Sequence, residues 1–197
     1  MNFSAAKLFI ERKLKEEIHF KYAYHNFEHI ADVYSAAERI AKQEGVSEKE
    51  TNLLLIAVLF HDAGFMLNSE DHEVLSCKIA LDNLPDFEFT QEEIVGVLAL
   101  IMATKIPQNP QNLLEKIICD ADLDYLGRSD FWEIGDKLFD ELETTGKVSN
   151  KWEWNNWQQI FLEDHVYFTR SNQILRNEKK HQNLEEVKIK LLNPDLI

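Results

Sequence analysis

The stretch Asn52-Leu53-Leu54-Leu55-Ile56-Ala57-Val58-Leu59-Phe60-His61-Asp62-Ala63-Gly64 decides the fold. Eight apolar residues, 53–60, run straight into a His-Asp pair, and a glycine follows two residues later. An apolar run of this length reads as a helix buried in the core. Gly64 suits the left-handed turn that ends a helix. Two side chains able to bind a metal therefore sit at the mouth of a core helix, where burial can hold them rigid. Taken alone, the pair is equally a helix end that happens to be polar, because polar residues are common there. The other histidines and aspartates of the chain decide between the two.

Helical periodicity extends outward in both directions. Ser47-Glu48-Lys49-Glu50 is a capping box that opens the core helix, and Gly45 ends the helix before it. Residues 3–21 carry Leu8, Phe9, Leu14 and Ile18 at helical spacing, 22–26 form a break, and 27–43 place Ile30, Val33, Tyr34, Ala37 and Ile40 on one face. Downstream, 65–70 are expected as a loop. Glu70 or Asp71 then opens a helix that Pro85 stops. Thr90-Gln91-Glu92-Glu93 caps a helix reaching Thr104. After a loop over 105–110, a helix from Gln111 runs into Asp120-Ala121-Asp122-Leu123-Asp124, and another spans 129–146. Residues 151–192 are helical in pattern and rich in aromatics, and Pro194 closes them. With only 6 glycines and 4 prolines, the fold expected is all-α, a single-domain multi-helix bundle over 1–197. Its motif-bearing core spans 25–127, with C-terminal helices over 129–192 packed on it.

The formal net charge of −14 argues against a nucleic-acid surface, which needs lysine and arginine to displace counterions. It leaves room for a small phosphorylated substrate, because a metal reverses the field locally. Cys77 and Cys119 are not spaced for a redox or zinc motif and read as buried thiols. The amino terminus has no long apolar stretch with a cleavage site, so no secretory signal is expected. No segment is long and apolar enough to span a membrane. A cytoplasmic protein is expected, with its oligomeric state open.

His25 and His29 lie four residues apart in Tyr24-His25-Asn26-Phe27-Glu28-His29. On a helix that spacing puts both imidazoles on one face, as two ligands or as one ligand and one proton donor. Asp120, Asp122 and Asp124 crowd beside apolar Ile117-Ile118-Cys119, where carboxylates repel unless a cation or donors compensate them. Their spacing does not match a calcium-binding loop. His29, His61, Asp62 and one of these aspartates would offer two imidazoles and two carboxylates. That set suits a divalent ion such as Mn, Mg, Fe, Ni or Zn. It leaves coordination positions open, as hydrolysis requires.

The order His … His-Asp … Asp resembles the HD superfamily of metal-dependent phosphohydrolases, over about 25–127, and implies that family's helical fold. Tyr24-His25-Asn26-Phe27-Glu28-His29 is also similar to the Tyr-His-Asn-x-x-His segment of cyclic-nucleotide phosphodiesterases in that superfamily. The resemblance implies His29, His61, Asp62 and Asp122 as metal ligands and His25 as the general acid. It implies one metal, because the helix ending Ile101-Met102-Ala103-Thr104-Lys105 carries no histidine to complete a second site. His72, Asp120, Lys105, Arg128, His165 and Arg170 are candidate substrate contacts or supports of the ligands, and Tyr167 is a candidate lining residue. Asp124 would be a supporting residue or a cap.

Two function classes follow. The first is a phosphohydrolase acting on a phosphoester, a nucleotide or cyclic nucleotide, with Asp62 or Asp122 orienting the attacking water. The C-terminal aromatics would offer a stacking wall. The second is a non-catalytic module of the same fold that senses a nucleotide or binds a partner. The buried His/Asp set favours the enzyme, and fold alone does not separate the two.

Overall fold

The computed structural model describes residues 1–19 and 22–193. Among them there are helices and no strands. Nine α-helices are described: α1 Phe3–Glu17, α2 Phe27–Gln43, α3 Glu48–Phe60, α4 His72–Asn83, α5 Gln91–Ala103, α6 Leu113–Asp122, α7 Phe131–Thr144, α8 Lys151–Asp164 and α9 Arg170–Leu192. Short 3₁₀ turns follow α3, α4 and α6. The all-α expectation holds. Lys21 and Pro194, expected as helix boundaries, lie outside the described residues, and α1 stops at Glu17. The aromatic-rich last third is two helices, separated at 165–169. None of the described helices is long and apolar enough to cross a membrane.

The core forms around α3. The seven residues of its second half, Leu54, Leu55, Ile56, Ala57, Val58, Leu59 and Phe60, are all buried, so this half has no polar face to turn toward water. The capping box is formed: the Ser47 hydroxyl accepts from the Glu50 amide, and the Glu50 carboxylate accepts from the Ser47 amide, both at 3.3 Å. Helices α1, α2, α5 and α6 bury their apolar stripes against it. A second cluster, with Leu126, Phe131, Leu162 and Val187 among its members, joins α7, α8 and α9 over the 3₁₀ turn that follows α6. Cys119 is fully buried, whereas Cys77 is half-buried.

Gly64 differs from expectation. Only Gly45 and Gly146 take positive φ among the described glycines. Gly64 sits in a 3₁₀ turn, and a Cβ built on it would lie 2.1 Å from the His72 carbonyl oxygen. Its amide donates to the Ser76 hydroxyl at 2.8 Å. The glycine is needed for close approach of two backbones, which seats α4 against the end of α3.

Two aspartates expected near the site tie α6 to α9. Asp120, wholly buried, accepts from the Phe168 amide at 2.7 Å, the Thr169 amide at 2.8 Å and the Thr169 hydroxyl at 2.5 Å. Asp124 accepts from Arg39 at 2.7 Å, from Asn172 at 3.2 Å, and from Arg176 at 2.9 and 2.8 Å.

Gly64→Ala is expected to destabilise by about 3 kcal/mol, near the top of the overpacking range. Gly96→Ala, on α5 with open space around an added Cβ, should stabilise by about 1 kcal/mol. Urea midpoints at unchanged m-value read both, and equal midpoints would contradict the close approach. Asp120→Ala, which strands three donors, should cost about 3 kcal/mol by the same measurement.

Candidate metal centre

Four side chains from three helices converge. Asn26 caps α2, accepting from the Glu28 amide at 2.8 Å and the His29 amide at 3.3 Å. The cap fixes His29 in the first turn, facing the end of α3. His61 is the residue on which α3 ends and Asp62 follows it, both buried. Asp122 is the last residue of α6.

His29 Nε2 lies 3.5 Å from Asp62 Oδ2 and 3.3 Å from Asp122 Oδ1. His61 Nε2 lies 3.3 Å from Asp62 Oδ2 and 3.5 Å from Asp122 Oδ1. One ligand atom each from His29, His61 and Asp122 falls within a 4.8 Å span. His61 Nδ1 stands 2.7 Å from the Val58 carbonyl. A carbonyl only accepts, so a proton sits on Nδ1, and Nε2 is the nitrogen left to bind a cation.

His29 Nε2, His61 Nε2 and Asp62 Oδ2 are buried and have no hydrogen-bond partner among the described residues. Three such atoms facing one point require an explanation. Burial would lower the His61 pKa, but Asp62 and Asp122 outweigh it and pull it up to about 9. Asp122 is held far below the usual carboxylate range: burial would raise it, and the close approach of the His29 and His61 imidazoles reverses the sign. The pocket therefore attracts positive charge. Two imidazoles and two carboxylates fit a divalent cation of the N/O-preferring kind.

His25 lies beside the cluster. Its ring stacks on Phe65, with centroids 4.2 Å apart and planes at 11°. Its Nδ1 is 2.5 Å from Glu141 Oε1, and Glu141 Oε2 accepts from the Tyr24 and His25 amides at 2.9 Å each. Burial opposes protonation of His25, yet the Glu141 bond and the charges of Asp62, Glu141 and Asp122 raise its pKa above the ordinary value. Sequence reasoning missed Glu141. It comes from α7, 116 positions away, and its only trace in the sequence is an acidic residue among the apolar positions of a helix.

His72 Nε2 is 3.5 Å from Asp62 Oδ1, the carboxylate oxygen turned away from His29 and His61, and 3.6 Å from the buried Glu73. Lys105 reaches the same mouth, 3.1 Å from Asp71. A cavity of about 520 Å³ opens from the cluster, lined by His25, Asp62, His72, Lys105 and Asp122 together with the aromatic Trp154, Trp157 and Phe161. Five residues expected to touch the substrate, line the pocket or support the ligands are elsewhere. Arg128 is engaged by Asp32 and Asp130. Asp120 is consumed by the start of α9. Arg170 is exposed and absent from this lining. His165 faces a neighbouring cavity. Tyr167 is a core residue whose hydroxyl donates to the Leu123 carbonyl at 3.2 Å.

Comparisons with known proteins bear on the fold and the family. The family model described as HD domain matches residues 26–124, a span that includes His29, His61, Asp62, His72 and Asp122. Among solved structures, a predicted HD superfamily hydrolase from an uncultured Thermotogales bacterium is 20% identical, with TM-score 0.62, covering 94% of this chain and 90% of its own. A Lactobacillus plantarum protein is 16% identical, with TM-score 0.70, covering 98% and 99%. Bacillus subtilis YpgQ, solved in complex with ADP, is 18% identical, with TM-score 0.67, covering 97% and 100%. No curated protein matches the chain. The match over half of the chain, on the helices that carry the His/Asp cluster, makes the protein a member of the HD-domain family.

Proposed function

We propose that the protein is a metal-dependent phosphohydrolase whose substrate is a phosphoester of a nucleotide. The observation that carries this is the trio of buried, unpartnered atoms His29 Nε2, His61 Nε2 and Asp62 Oδ2 beside Asp122. In this proposal His29, His61, Asp62 and Asp122 hold one divalent ion. When bound, the ion supplies Lewis acidity to the phosphoryl group and acidifies water. Asp62 or Asp122 orients the attacking water. His25, whose protonated form the Glu141 carboxylate favours, gives its proton to the departing oxygen. Lys105, the cation of the cavity mouth, meets the phosphate. The base lies toward Trp157 and Phe161. Nucleotide chemistry is supported by the aromatic lining of the cavity and by the ADP complex of the YpgQ relative. The similarity of the segment Tyr24 to His29 to cyclic-nucleotide phosphodiesterases supports the acid role of His25.

A screen of nucleotides and cyclic nucleotides, with Mn, Mg, Fe, Ni and Zn added singly, tests the proposal. Metal-dependent turnover is expected, and metal uptake without turnover of any phosphoester would favour a sensing module instead. His29→Ala, His61→Ala and Asp122→Ala should each leave the protein short of stoichiometric metal by elemental analysis. Metal affinity should rise with pH toward about 9, because the cation-free His61 is protonated below that value and must release its proton to bind. Calorimetry in buffers of different ionisation enthalpy counts that proton.

His25→Ala should retain metal and lose about 10²- to 10⁴-fold in rate, with a smaller loss on a nitrophenyl ester, whose leaving group needs little protonation. Glu141→Gln removes the charge that raises the His25 pKa while keeping an oxygen for the two amides. The basic limb of its pH–rate profile should therefore move to lower pH. Metal loss in His25→Ala would make that residue a ligand.

A further inference from the structure

The charge that lines the metal chamber is confined to one region. Its carboxylates, histidines and lysine are Asp62, Glu73, Asp122, His25, His72 and Lys105. Each belongs to the cluster or stands beside it. His72 lies 3.5 Å from Asp62, Glu73 stands 3.6 Å from His72, and Lys105 holds Asp71, the residue before His72. The His25 ring centroid is 6.0 Å from that of His29. The rest of the lining is chiefly carbon, with Leu126, Phe131, Leu138, Leu142, Trp154 and Leu162 contributing. Two of its polar members are already engaged: the Thr104 hydroxyl donates to the Ile101 carbonyl at 2.8 Å, and Gln158 donates to Asn155 at 3.2 Å.

The chamber adjoins a second apolar space of about 420 Å³, because Ile106, Leu123, Trp157 and Phe161 line both. Trp157, Ile160 and Phe161 sit at helical spacing on one face of α8, so the apolar face runs on from the chamber into this groove. Ile106, Trp157, Ile160 and Val166 are all exposed. Large apolar side chains gathered in the open mark a binding surface, and a mostly apolar cleft with a few polar groups in one place is the form small-molecule sites take. Among the described residues no arginine lines either space. A second or third phosphate would therefore meet no cation beyond Lys105, and an unpaired buried charge is costly.

We propose that the protein has a further activity at the same centre, the hydrolysis of phosphomonoesters of straight-chain alkyl alcohols, with the single phosphate at the cluster and the chain along the Trp157–Phe161 face of α8. Water adds to phosphorus, and the bond from phosphorus to the alcohol oxygen breaks. That oxygen leaves with the electron pair and takes the His25 proton. One water proton stays on the phosphate and the other replaces the proton of His25, so the products are inorganic phosphate and the alcohol. The activity rests on the metal-dependent phosphohydrolase proposed above and widens the group that the phosphate carries. Binding of the chain rests on the apolar surface alone.

Two measurements on the full chain test this. In EDTA, tryptophan fluorescence is titrated with primary alcohols from butanol to octanol, which carry no charge and need no metal. Saturable binding should tighten roughly threefold for each added methylene, the worth of burying one CH₂. With Mn, Mg, Fe, Ni or Zn added singly, kcat/KM on butyl to octyl phosphate should climb by the same step, since binding energy common to ground and transition state appears there. Each ester is kept below its micelle-forming concentration. Ile160→Asp places a charge on the exposed groove face and should cost octyl phosphate about tenfold, and butyl phosphate less. A flat chain-length series in either measurement, or an equal loss for both esters in Ile160→Asp, would overturn the inference. Metal-dependent turnover of a nucleotide alongside a flat alkyl series would leave the phosphohydrolase standing without it. Alcohol binding with no turnover of any phosphoester would overturn both.

Discussion

Asp62 and Asp122 bring two negative charges to one point between His29 and His61, with every imidazole–carboxylate separation between 3.3 and 3.5 Å. Uncompensated buried charge is costly, so this pair constrains the surrounding structure. The second half of the helix that leads into His61-Asp62 is buried on all sides and cannot rotate to bring the aspartate into water. The caps of α2 and α3 fix where each imidazole starts. The nitrogen of His61 that does not face the cluster is committed to a backbone carbonyl. What remains is a cradle of fixed lone pairs, and a cation relieves its repulsion.

The parts legible in the sequence are those governed by local rules. Ser47 and Glu50, or Thr90 and Glu93, announce helix starts because capping is a contact between residues three apart, and both boxes form. Residues 53–60 announce burial because no polar side chain interrupts them. His29, His61 and Asp62 were recognisable as a set with one aspartate of the later cluster; nothing in the spacing alone fixed which aspartate would face inward, and only the resemblance to the HD family implied Asp122. The structure separates them by helix geometry: Asp122 ends α6 toward the imidazoles, whereas Asp120 points to the start of α9.

Long-range partners were not legible. Arg128 has the charge and the chain position of a phosphate contact, but Asp32 and Asp130 claim its guanidinium, and no rule of sequence spacing joins positions 32 and 128. Glu141 was invisible for the same reason, since its two oxygens answer to amides and an imidazole on another helix. Gly64 was legible as a special residue but not for its reason. A glycine after an apolar helix signals left-handed termination in general, and here it signals that His72 passes too close for any side chain.

The bonds from α6 to α9 bear on what counts as the cooperative unit. The family match ends at residue 124, yet Asp120 and Asp124 find most of their donors beyond it, at Phe168, Thr169, Asn172 and Arg176. A chain cut at that boundary would keep all four residues of the cradle and strand two carboxylates, one on the helix that presents Asp122 and one in the turn just after it. The half that carries the cradle is thus not a freestanding machine. Its charge balance is completed by a helix that carries none of its chemistry.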